Sequence, residues 1–190
     1  MLNRSTLPHI KTDRLLLKLL EPHRSNLMID FRVANRSYLK PWEPSRPAEF
    51  FTTAFWDNQL RYVVQDYRDG NSMCLVIMDG SDTQVMGVCN FTNIVRGTFL
   101  ACQLGYALAE QHQGKGVMFE ALTHSIDFVF NELRLHRIMA AYIPRNARSG
   151  SLLERLNFVK EGRASKYLSI DGRWEDHILT SLVNPSETGV

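Results

Sequence analysis

Two glycines, one residue apart and just ahead of a helical pattern, are the strongest chemical signal in the chain. They lie in Gln113-Gly114-Lys115-Gly116, between a β-rich run, Phe99 to Leu108, and apolar residues at Leu122, Ile126, Val129 and Leu133. That apolar spacing is the period of one helix face, so the order strand, glycine turn, helix is predicted. Glycines let backbone N–H groups turn toward one point. At a helix N-terminus those groups lack partners and the helix dipole is positive, which suits a phosphate. The same pattern also suits a tight strand-to-helix connection without a ligand. It is not a Walker A loop, because the Gly-x4-Gly-Lys-Ser/Thr spacing is missing, and it lacks the G-x-G-x-x-G spacing of a dinucleotide fold. Lys115 adds charge to a phosphate site or is simply solvated.

Other reactive residue types are weaker signals. Cys74, Cys89 and Cys102 each sit in an apolar, strand-like run, which predicts free buried thiols in a reducing compartment. The six histidines form no HExxH motif or Cys/His cluster, so no metal site is expected. Trp42 and Glu43 lie among Pro41, Pro44 and Pro47, whose fixed φ angles hold an aromatic and a carboxylate rigidly. Either Trp42 plugs the edge of the core, or this loop walls a ligand cleft with Glu43 on its lining.

The elements that must position these residues follow from pattern. A first strand is predicted over Lys11 to Leu20 and ends at Glu21-Pro22. Pro22 to Ala34 reads as a helix, with Leu27, Phe31 and Ala34 on one face. The prolines make 39–47 a loop, and Ala48 to Arg68 a second helical stretch stopped by Asp69-Gly70-Asn71. Ser72 to Met78 and Thr83 to Phe91 are predicted as strands joined by the turn 79–82, and Val95 to Thr98 turns the chain again. After the helix ending near Leu133, Arg137 to Ile143 is a strand buried on both faces, and Pro144 breaks it. Ser149 to Leu156 is a short helix, with Ser149 a candidate N-cap. Val159 to Leu168 and Trp174 to Val183 form a final hairpin around Ile170-Asp171-Gly172-Arg173. One domain over 1–190 is expected, with 1–8 and 184–190 as flexible ends.

Composition narrows the class. The chain has 190 residues, 44% hydrophobic and 22% charged, with a net charge of +2. The isoelectric point of about 8.5 neither requires nor excludes a nucleic-acid surface. Met1 to Ile10 lacks the apolar core of a signal peptide, and no segment approaches the ~20 apolar residues of a membrane helix. A cytoplasmic protein is the expectation, with no membrane partner.

The glycine loop resembles the acetyl-CoA loop of the GCN5-related N-acetyltransferases, Gln/Arg-x-x-Gly-x-Gly/Ala. Here it reads Gln113-x-x-Gly116-x-Met118, and a methionine in the last place is similar to the branch that acetylates ribosomal protein N-termini. Pro144-Arg145-Asn146, Ser149 and Leu156-Asn157-Phe158 extend the likeness, as do 40–44 (Lys-Pro-Trp-Glu-Pro) and the run Asn93 to Gly97. The element order βααβββαβαββ is that of the family's mixed α/β fold, with central strands that splay apart.

The resemblance implies a set of site residues. The backbone of Tyr106, Ala107 and Leu108 would pair with the pantetheine arm and acetyl carbonyl, freed by a strand bulge and splay. The amides of Gly114, Lys115, Gly116, Val117, Met118 and Phe119 would hold the pyrophosphate. Asn146 would hydrogen-bond the pantetheine chain. Relatives' tyrosine acid and glutamate base fall on Leu153 and Ala141, so Ser149, similar to the serine acid of the ribosomal branch, becomes the candidate acid and Glu43 the candidate group for the amine. The implied activity is acetyl-CoA-dependent acetylation of the N-terminal alanine of a ribosomal protein, small-subunit protein number five. An α-amine, with a pKa of about 7.7–8.0, is partly neutral near pH 7, unlike a lysine near 10.4. The implied partners are acetyl-CoA, the N-terminal segment of a ribosomal protein, and the ribosome or its assembly intermediates. Two alternatives stay open: a ribosome-binding or assembly factor, and an acetyltransferase for a small amine such as an antibiotic or amino acid.

Overall fold

The computed structural model describes residues 6–186. Eight strands form one mixed sheet in the order β1-β2-β3-β4-β5-β6-β8-β7. They are β1 (His9–Lys11), β2 (Leu15–Lys18), β3 (Met73–Asp79), β4 (Val85–Val95), β5 (Ala101–Leu108), β6 (Arg137–Tyr142), β7 (Val159–Ile170) and β8 (Arg173–Val183). Five helices accompany them: α1 (Ser25–Ala34), α2 (Arg36–Leu39), α3 (Thr53–Asp69), α4 (Val117–Asn131) and α5 (Ala147–Arg155). The mixed α/β sheet with splayed central strands is the fold expected.

Period-2 alternation sends strand side chains to two cores. Leu15, Leu17, Leu75, Ile77, Cys89 and Phe91 join Leu122 and Val129 of α4 in one cluster. Val76, Met78 and Val88 join Met28 and Phe31 of α1 and Trp56 and Leu60 of α3 in the other. Cys89 and Cys102 are buried, and burial pushes both thiols up to about 12; burial likewise raises Cys74 to about 11. All three are free thiols, and none is a thiolate near neutral pH.

Several boundaries differ from the pattern-based expectation. The single strand expected over 11–20 is a hairpin, because Thr12 N–H donates to Leu15 O at 2.9 Å and folds β1 back on β2. The helix expected from Ala48 starts as a 3-10 turn, Ala48–Phe51, and α3 begins only after Thr52, whose hydroxyl accepts from Phe55 N–H at 3.3 Å. Strand β4 runs on past Phe91 to Val95. The final hairpin turns on Asp171 and Gly172, both at positive φ (45° and 78°), the backbone of a two-residue type I′ turn. The ends expected to be flexible are partly held: Leu7 packs against the core, and Asn184 is buried with its N–H on His136 O. Residues 1–5 and 187–190 of that expectation lie outside the described residues.

Candidate active site

Two strands part at the centre of the sheet. Parallel β5 and β6 pair only from Ala101↔Arg137 to Leu104↔Ala140, although β5 continues to Leu108 and β6 to Tyr142. On its other side β5 stays paired with β4 up to Gly87↔Leu108. The register slip in that pairing falls between Thr92 and Val95, so the splay opens β5 without the bulge expected at 106–108. Ala109 N–H donates to Met86 O, and antiparallel alternation then turns Ala107 toward β4. Tyr106 and Leu108 are left with N–H and C=O groups facing the opening.

The glycine loop lies at the exit of β5. Gly114 and Gly116 have φ of 70° and 75°, a region in which a side chain is strained. A Cβ on Gly114 would meet nothing within 4 Å, and one on Gly116 would meet only Arg14 Nη2, at 3.6 Å. These two positions therefore form an open cradle rather than a packing contact. Gly116 is the N-cap of α4, and no side chain caps it among the described residues. The first N–H groups of α4, on Val117, Met118 and Phe119, thus face outward without intrahelical acceptors. The side chains of Val117 and Met118 are buried in the core, so only their backbone is offered. The pattern asks for a group that accepts several N–H bonds and carries negative charge, and a pyrophosphate fits it.

Side chains from distant segments hold this loop. Arg14 ion-pairs with Glu120 of α4 at 2.6 Å and donates to Lys115 O at 3.2 Å. Burial raises the Glu120 carboxyl, but hydrogen bonds from Thr12 and Arg14 outweigh it and hold the group below its ordinary range. Arg148 of α5 donates to Gln113 Oε1 at 2.8 Å, tying the loop to the far side of the opening. Lys115 Nζ donates to Gln111 O at 2.8 Å, so the ammonium braces the loop. None of these partners was foreseen from the sequence. For Arg14 and Arg148 the signal was the residue types alone, since spacings of more than a hundred residues, or of 35, carry no local pattern, and the four-residue step from Lys115 to Gln111 reads equally as a solvated lysine.

After β6, Asn146 rather than Ser149 caps α5: its Oδ1 accepts from Ser149 N–H at 3.2 Å. The capping role considered for Ser149 is thus corrected. The Ser149 hydroxyl is instead within 2.7 Å of the Tyr106 hydroxyl. This pair bridges the two sides of the splay, two residues beyond the last β5–β6 pair on one side and in the first turn of α5 on the other. Burial pushes the Tyr106 phenol up to about 12, so it keeps its proton through neutral pH. Asn146 Nδ2 remains available as a donor. Helix α5 approaches closely because Gly150 lies on the Tyr142 ring, where a Cβ would come within 2.9 Å. Leu153 is buried in the core, and Ala141 pairs with Leu179.

The proline loop closes the other side. Glu43 does not stand free: Arg32 Nη1 lies 2.9 Å from its Oε1, and Arg46 Nε 3.9 Å from its Oε2. Its carbonyl accepts from Asp171 N–H at 3.0 Å, joining the loop to the hairpin tip. Trp42 is half-buried and outside both core clusters, with the Arg145 guanidinium 5.5 Å from its ring centroid. Arg145, next to Asn146, also donates to Pro41 O and pairs with Glu175 at 2.8 Å. Arg145 thus ties the turn at Asn146 to the proline loop, and the Glu43 carboxylate is paired with Arg32 and Arg46.

Comparison with known proteins agrees with this geometry. The acetyltransferase (GNAT) domain family matches residues 14–159. The Escherichia coli protein named [Ribosomal protein uS5]-alanine N-acetyltransferase is 43% identical over 187 residues, 97% of this chain and 96% of that one. The crystal structure of the ribosomal-protein-S5-alanine acetyltransferase of Vibrio fischeri superposes with a TM-score of 0.91 at 38% identity, covering 96% of this chain and 100% of that one. Mycobacterium smegmatis RimJ, solved in complex with CoA-disulfide, shares the fold with a TM-score of 0.85 at 24% identity, over 96% and 89% of the two chains.

Proposed function

The chain belongs to the acetyltransferase (GNAT) family, and on that premise we propose that it transfers acetyl from acetyl-CoA to the N-terminal alanine of a ribosomal protein, the small-subunit protein uS5. One observation carries the reading: an uncapped, glycine-cradled helix N-terminus stands beside a sheet opening whose two sides meet in the Tyr106–Ser149 hydroxyl pair. The similarity over nearly the whole chain to an enzyme named for uS5 alanine supports the choice of acceptor.

Acetyl-CoA supplies an activated thioester. The amides of Gly114 to Phe119 bind its pyrophosphate, and the open backbone of Tyr106 and Leu108 pairs with the pantetheine arm, with Asn146 Nδ2 as a further donor. The same strand edge offers N–H to the acetyl oxygen as negative charge develops there. As the neutral amine bonds to the acetyl carbon and the C–S bond breaks, Ser149 Oγ donates a hydrogen bond to the departing thiolate and Tyr106 O–H donates to Ser149, while the proton shed by the new amide nitrogen passes through water to the sulfur. No carboxylate is assigned as base. An α-amine near pH 7 already has a neutral fraction, and positioning supplies much of the remaining acceleration. Glu43 acts through Arg32, fixing the loop that borders the acceptor.

We place the reaction in the cytoplasm, within one catalytic domain spanning the chain. No helix among the described residues is long and apolar enough to cross a membrane. A net charge of +2 gives little drive toward a polyanion, so the ribosome or an assembly intermediate would be met through the acceptor segment itself. The test is a peptide beginning with alanine and carrying an internal lysine. Mass spectrometry should place the acetyl on the α-amine, the group cheaper to deprotonate by roughly 3 kcal/mol for a gap of about 2.5 pKa units. Preferential acetylation of the lysine, or of small amines over the peptide, defeats the proposal.

A further inference from the structure

A basic cavity of about 500 Å³ lies between α1, α2, the proline loop and the tip of the β7–β8 hairpin. Arg32, Arg36, Lys40 and Arg46 line it against two carboxylates, Glu43 and Asp171. Glu43 is shared by Arg32 and Arg46, and Asp171 stands 3.9 Å from Lys40. Arg36 has no carboxylate partner among the described residues, and its guanidinium lies 4.3 Å from the Phe51 ring centroid. The second observation is independent of that surplus. Arg32 has only 8% of its side chain exposed, and its buried Nε has no hydrogen-bond partner among the described residues. The rings of Phe31, Phe50 and Trp56 enclose the guanidinium at 5.2, 5.5 and 5.7 Å, so this charge is held in the cavity wall where water screens it little and a nearby carboxylate feels it strongly. Two net positive charges and planar guanidinium forks suit a carboxylate.

We propose that this cavity binds an acidic side chain of the acceptor, a few residues after its N-terminus, and so contributes to substrate choice. The inference rests on the reading that the acceptor is an N-terminal protein segment. The proline loop connects the two places: Pro41 O is held by Arg145, the residue before Asn146, while Lys40 and Glu43 face the cavity. A peptide with its amine in the strand opening crosses this loop, at roughly 3.3–3.6 Å per extended residue. The two carboxylates in the walls work against a polyanion such as RNA, while leaving a charge surplus that one or two acidic side chains balance.

The experiment uses the full chain saturated with acetyl-CoA and alanine-first peptides with one glutamate at position 2, 3, 4, 5 or 6, each paired with its glutamine counterpart. One position should lower KM about 10-fold relative to glutamine with kcat unchanged, the mark of uniform binding. In Arg36→Gln, an exposed position, that difference should shrink to about 2-fold or less, with the glutamine peptide unaffected. Equal KM for glutamate and glutamine at every position overturns the proposal while leaving acetyl transfer intact. Anisotropy of the same peptides on the CoA-loaded protein separates the two readings: glutamate-dependent binding without turnover supports the cavity and sinks the reaction. Displacement of peptide by a short RNA, with no glutamate preference, also overturns it.

Discussion

The two sides of the site are built on different principles. The side assigned to acetyl-CoA is mostly backbone: two glycines at positive φ, an uncapped helix start and a strand edge released by its neighbour. The side assigned to the acceptor is mostly charged side chains borrowed from separate segments, with Arg32, Glu43 and Arg46 meeting across α1 and a loop, and the backbone of Asp171 joining them from a hairpin tip. Backbone recognition depends on conformation and tolerates changes in most side chains. A network of ion pairs depends on each member. One scaffold can therefore keep its co-substrate while its acceptor changes through a handful of surface residues.

The largest effect should follow from adding a side chain to the backbone side. Gly116→Asp places a β-carbon at a φ of 75° and a carboxylate where the phosphate belongs. Acetyl-CoA affinity should fall by about 100-fold or more while the protein stays folded. Calorimetric titration reads the loss, and wild-type affinity would remove Gly116 from the site. An intermediate effect is expected where the two sides meet. Ser149→Ala should reduce turnover about 10- to 100-fold at saturating acetyl-CoA. Because Asn146 is the cap, its melting point should stay close to that of the wild type. A lowered melting point with full turnover would make Ser149 structural. The smallest effect on acetyl transfer belongs to the ion-pair side. Glu43→Gln leaves the Arg32 guanidinium buried with one neutral acceptor, which lowers stability by about 2–3 kcal/mol in thermal or denaturant unfolding and leaves turnover nearly unchanged. Acetyl-CoA affinity should not change, and a loss of it would show that the two sides are not separable.

The same division decides what a reader of the sequence alone can find. Helix α4 was legible because Leu122, Ile126 and Val129 repeat along one face, and the hairpin because Asp171-Gly172 suits only a tight turn. The cradle was legible too, since Gly114 and Gly116 are local requirements of backbone geometry. The hairpin of β1 and β2 was not, because its turn depends on Thr12, which looks like any strand residue. The start of α5 was misplaced by two residues, because Asn146 and Ser149 are both good caps and only the fold chooses between them. The Tyr106–Ser149 pair spans 43 residues and the Arg14–Glu120 pair 106, and nothing local announces either. Glu43 was seen, but its masking by Arg32 was not, so a carboxylate that looked free for a substrate is already engaged.

The parting of β5 and β6 also bears on solubility. Unpaired strand edges on the outside of a sheet invite other chains to add to them and so promote aggregation. Here the unpaired stretch is in the middle of the sheet, flanked by β4 on one side and by β6 with β8 on the other. The wedge is open at one end only, because the first four pairs of the two strands close the other. Such a slot admits a single slender chain and excludes a second protein strand with its side chains and neighbours. The hydrogen-bonding capacity of a sheet edge is thereby kept for a narrow ligand, shielded from promiscuous pairing by the strands around it.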